Sequence, residues 1–89
     1  MDEAVGQYEE AIGIRRRLVR EGRGELANDL AKALYNLAWA RAARGERGLA
    51  QAAAGEAWEI WQGLVARGWT HVQQDLRDAE ALVARLGGA

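Results

Sequence analysis

Apolar residues recur along this chain at intervals of three and four, the spacing of helices that each bury one face. At the start the series runs Ala4, Tyr8, Ala11, Ile14 and Leu18, and it predicts a first helix over about 3–21 with Asp2 as its N-cap. The run Glu21-Gly22-Arg23-Gly24-Glu25 then reads as a tight turn, because its glycines reach the left-handed conformation that ends a helix. Leu26, Leu30, Ala33, Leu34, Leu37, Ala38 and Arg41 carry a second helix over about 25–44, stopped at Gly45. Ala50, Ala54, Ala57, Trp61 and Leu64, widened by Ala53, Trp58, Ile60 and Val65, carry a third over about 47–67, capped by Gly68. Thr70 followed by Gln73 has the form of a capping box, and Val72, Leu76, Ala79, Val83 and Leu86 form the stripe of a fourth helix over about 71–86. Connections this short force successive helices to lie antiparallel and adjacent. The expected fold is all-α, a single domain over 1–89 of four antiparallel helices.

The pattern repeats. Displacing the chain by 46 residues pairs Glu10 with Glu56, Ile14 with Ile60, Leu18 with Leu64, Gly22 with Gly68, Asp29 with Asp75 and Ala33 with Ala79. Ten identities fall between residues 10 and 38 without a gap. The four helices therefore read as two copies of one helical pair.

The run Ala33-Leu34-Tyr35-Asn36-Leu37-Ala38, then Gly45, then Ala50, Ala54, Ala57 and Ile60, resembles the tetratricopeptide repeat. Leu34, Leu37, Ala38, Gly45, Ala50 and Ala57 occupy that family's places for large, small and turn residues, and Ala4, Tyr8, Ala11 and Ile14 repeat its second-helix half. The longer period, with Gly24-Glu25-Leu26-Ala27-Asn28-Asp29-Leu30-Ala31, is similar to extended bacterial variants of the repeat. The chain departs from the family in lacking a boundary proline, in carrying Arg41 where an aromatic is common, and in placing Ala54 where another aromatic would stand. The resemblance implies an antiparallel helix-turn-helix solenoid segment of four helices with one complete repeat, 25–67, flanked by half repeats. In that phase the chain reads as a fragment of a longer array, or as a piece that must find neighbours.

Composition narrows the chemistry. The 89 residues contain no Cys, no Pro, no Ser and no Phe, one Thr, one Lys and one His, against eleven Gly and four Trp. Nucleophilic catalysis is left with Thr70, Lys32 and His71, and Thr70 beside His71 reads as a helix cap. His71 and Asp75 share a helical face, yet no second His or Cys completes a zinc site, so no metal, cofactor or enzymatic activity is expected. Gly22 and Gly24 lack the strand and the Gly-Lys-Ser/Thr ending of a phosphate loop. A net charge of -1 supplies no global attraction for nucleic acid or anionic lipid, and no apolar run approaches a membrane span. A soluble, cytoplasmic protein is expected.

What remains is recognition. Arg15, Arg16, Arg17, Arg20 and Arg23 gather positive charge on the first helix and read chiefly as a solvated face, with nucleic-acid binding as an alternative function that the acidic balance elsewhere disfavours. Trp58 is expected to fill core volume, Trp61 to sit at the edge of its helix, and Trp69 either to cover a helix junction or to face a partner. The resemblance places Trp39 on the concave face of the array with Lys32, Tyr35, Ala42 and Ala43, and implies a non-enzymatic protein-interaction module or assembly scaffold that takes a peptide or helix at Lys32, Tyr35, Asn36 and Trp39. Self-association is the second alternative, through Tyr8, Leu76, Leu82, Val83 and Leu86, with a closed dimer preferred over open stacking. Interior Gly6, Gly13, Gly55 and Gly63 each weaken a helix and read chiefly as places where neighbouring backbones approach closely, with local flexibility as the alternative.

Overall fold

A computed structural model of the chain describes Gly6, Glu9, Glu10 and residues 24–87. Three α-helices account for nearly all of the continuous part: α1 is Gly24–Ala43, α2 is Arg47–Ala66 and α3 is Gln73–Gly87, with a short 3-10 turn, Thr70–Val72, leading into α3. No strand occurs among the described residues. These helices match the second, third and fourth predicted segments to within two residues at each end. Gly6, Glu9 and Glu10 are helical, and the rest of the first predicted helix lies outside the described residues, as do Tyr8, Gly13, Gly22 and the five arginines of that segment.

Alanine and leucine fill most of α1, so intrinsic propensity and the absence of β-branched residues both favour a helix there. α2 packs against α1 on one side and α3 on the other. Its stripe of Ala50, Ala54 and Ala57, all with no exposed area, meets Ala31 and Ala38 of α1 in one hydrophobic cluster. Side chains this small bring helix axes close, and the volume is then filled by Leu30, Leu34, Trp61, Leu64, Val72 and Leu82. The widened stripe predicted for α2 is present, with Ala53 buried and Trp58, Ile60 and Val65 half-buried.

Both turns are Schellman motifs built from the same tripeptide. In Ala43-Arg44-Gly45 the Gly45 N–H donates to Ala42 O (3.0 Å) and the Glu46 N–H to Arg41 O (2.9 Å). In Ala66-Arg67-Gly68 the Gly68 N–H donates to Val65 O and the Trp69 N–H to Leu64 O, each at 3.0 Å. Gly45 at φ 78° and Gly68 at φ 96° hold the left-handed conformation that these motifs need. The residue after the glycine secures each turn in its own way. Trp69 is half-buried and packs on the core, whereas Glu46 places its carboxylate 2.9 Å from both Arg41 Nη1 and Arg44 Nε. Arg41 also pairs with Glu9, so its guanidinium bridges two carboxylates.

Three expectations are corrected. Trp61, at 2 % exposure, is the largest fully buried side chain and Trp58 is half-buried, the reverse of their expected roles. Thr70 opens the 3-10 turn, and the cap position before it is Trp69, which makes no side-chain capping bond. Of the interior glycines, Gly6, Gly55 and Gly63 are not sites of close approach, since a Cβ built at each meets nothing within 4 Å.

Candidate functional site

The site begins with the period of α1. Lys32, Tyr35 and Trp39 are three and four residues apart, which aligns them along one side of the helix. Tyr35 is half-buried and serves as a hinge between core and surface: its ring lies 5.9 Å from Trp61 beneath it and 6.3 Å from Trp39 above it, the latter pair edge-to-face at 76°. Trp61 is fixed in turn by a 2.9 Å hydrogen bond from its Nε1 to Asn28 Oδ1 on α1. This chain of contacts orients Trp39, which remains 43 % exposed. Among the described residues only Leu49 is a comparably exposed large hydrophobic side chain.

Facing this row is α3. A cleft of about 160 Å³ is lined by Tyr35, Trp39, Asp78, Ala81, Leu82 and Arg85. A second, of about 310 Å³, lies along Trp39, Ala42, Ala43, Leu82, Arg85 and Leu86. Trp39, Leu82 and Arg85 belong to both, so the indole stands as a partition in one groove between α1 and α3. The Arg85 guanidinium carbon lies 5.7 Å from the centre of the Trp39 ring, a cation–π contact across the groove. Asp78 Oδ1 accepts a 2.9 Å hydrogen bond from Gln74 Nε2.

Of the residues expected in the groove, Tyr35 and Trp39 line it, as do Ala42 and Ala43. Lys32 and Asn36 are exposed on α1 and line neither cleft. The α3 half, Asp78, Ala81, Leu82 and Arg85, was not anticipated as groove, although the 46-residue displacement maps Lys32 to Asp78, Tyr35 to Ala81, Asn36 to Leu82 and Trp39 to Arg85. Two of these pairs, Tyr35 with Ala81 and Trp39 with Arg85, face each other across the groove.

The residues expected to drive self-association divide differently. Leu82 (3 % exposed) and Leu86 (9 %) are core residues of this chain, while Leu76 and Val83 are half-buried against the same core. The other side of α3 carries Gln73, Gln74, Arg77, Glu80 and Ala84, all exposed. It presents no apolar seam. Trp69 is half-buried at the junction of α2 and α3, with its indole 5.3 Å from the His71 ring.

Among the described residues, no group of three or more His, Asp or Glu side chains is placed to hold a metal ion, and no helix is long and apolar enough to cross a membrane. No protein-family model, no curated protein and no solved structure matches this chain.

Proposed function

We propose that this chain is a helical-hairpin segment of tetratricopeptide type and acts as a non-enzymatic protein-interaction module, taking a peptide or helix in the groove between α1 and α3. One observation carries the reading: a large aromatic, Trp39, stands 43 % exposed between two clefts and is held in place by Tyr35 and Trp61 beneath it. An indole left in water at such a position is the kind of residue that dominates binding, because it buries much area at little entropic cost. Cleft size agrees with it. Sites that enclose a whole small molecule usually measure about 300–1,000 Å³, and the smaller cleft, at about 160 Å³, falls below that range and suits a single side chain of a longer ligand.

The test is a selection from a random peptide library displayed against the folded chain, followed by calorimetric titration of the peptides obtained. Trp39→Ala should weaken binding by at least about 1–2 kcal/mol. Leu49→Ala serves as the control, since Leu49 is as exposed but lies on α2 outside both clefts. Unchanged affinity in Trp39→Ala with helicity intact, or a selection that returns no binder, overturns the proposal.

A further inference from the structure

The groove has a chemical preference written into it by a contact it makes with itself. Tyr35 and Trp39 stand at 76° to one another and line the smaller cleft together with Asp78 and Arg85. Perpendicular aromatic faces beside an anion make a receptor for a cation, since each ring face carries the negative lobe of its quadrupole. The protein already fills part of that role with a side chain of its own, the Arg85 guanidinium over the Trp39 ring. Asp78 lies two helical turns before Arg85 on α3, roughly 10.5 Å along the axis; its Oδ1 accepts a hydrogen bond from Gln74 Nε2, and the residue lines the smaller cleft with Tyr35. The second cleft, across Trp39, is walled by Ala42, Ala43, Leu82 and Leu86 and is apolar apart from Arg85.

Resting on the groove reading above, we infer that the ligand of this groove is a peptide segment that inserts a basic side chain, Arg or Lys, between Tyr35, Trp39 and Asp78, with an apolar side chain entering the neighbouring cleft. Arg85 is then an internal competitor for the Trp39 face. An acidic ligand would use the groove in the opposite sense, with Arg85 as its main attraction. The two readings part on this residue, because removing Arg85 frees the indole for an incoming cation and deprives an incoming anion of its partner.

The experiment uses the same random twelve-residue peptide library, panned on the full chain and on Trp39→Ala, with the charge of the Trp39-dependent peptides as the first readout. Peptides enriched in Arg or Lys next to an apolar residue are expected. Their affinity should fall about three- to tenfold in Asp78→Asn and hold or rise in Arg85→Ala. Both substituted residues are exposed on α3, and circular dichroism verifies that each variant keeps its helices. Trp39-dependent peptides that are acidic or uncharged, or basic ones that lose affinity in Arg85→Ala, overturn the inference and leave the groove reading standing. A library that yields no Trp39-dependent peptide overturns both.

Discussion

Trp58 and Trp61 show how much of this protein turns on three residues of spacing. At 100° per residue Trp61 continues the line Ala50, Ala54, Ala57, and that line is the one α1 and α3 cover. Trp58 is one step off it and stays half-buried. Periodicity alone points to the right indole, since Trp61 and not Trp58 continues the buried stripe. Once Trp61 is inside, its N–H must be satisfied, and Asn28 Oδ1 does so at 2.9 Å. Asn28→Ala should therefore cost about 1–3 kcal/mol of stability. Asn36→Ala, at an exposed site on the same helix, should stay within about 0.5 kcal/mol. Urea denaturation of the two variants side by side checks the contrast, and equal effects would mean that the Asn28–Trp61 bond contributes little.

Helices and turns are where one substitution has opposite consequences at two glycines. Gly68 ends α2 at φ 96°, a conformation in which a Cβ is strained. Gly63 sits within α2 with open space where a Cβ would project. Gly68→Ala should destabilise the fold by about 1–2 kcal/mol, and Gly63→Ala should stabilise it by up to about 1 kcal/mol. Thermal melts followed at 222 nm read both, and a destabilising Gly63→Ala would restore the expectation of tight backbone approach. The failed capping box at Thr70 has its cause in the same turn. Because the Trp69 N–H completes the Schellman motif and its indole packs on the core, the chain enters α3 through a 3-10 turn, and Thr70 is carried past the cap position.

At the scale of the molecule, α2 is the shared partner and α1 and α3 flank it, which leaves a groove between their exposed flanks. Leu82 closes the floor of that groove from the core side, at 3 % exposure. Leu82→Glu would bury an unpaired carboxylate and should unfold the chain rather than dissociate an assembly. Ala84→Glu on the polar outer face of α3 should leave both the melting curve and the oligomeric state as they are in the parent chain. Light scattering coupled to size exclusion, run with circular dichroism, separates the cases. A folded Leu82→Glu of reduced mass, or an Ala84→Glu that changes mass, would place a seam on α3 after all.

Where the three described helices lie, where α1 and α2 stop and which stripe α2 buries were legible in the one-dimensional order, because those properties depend on local periodicity and on left-handed glycines, both of which act over a few residues. In the α1 half of the groove, Tyr35 and Trp39 stand where the family resemblance implies them, one turn apart, while Lys32 and Asn36 line neither cleft. Tertiary structure alone decided what the α3 residues do. Asp78, Leu82 and Arg85 look alike as members of one amphipathic helix, and only the angle at which α3 docks on α2 sends Leu82 inward, turns Arg85 onto Trp39 and leaves Asp78 at the cleft. That angle is a property of side-chain volumes meeting across forty residues of chain, with alanine against alanine at one contact and Trp61 filling the next. A periodic pattern specifies a face. It does not specify what the face will meet.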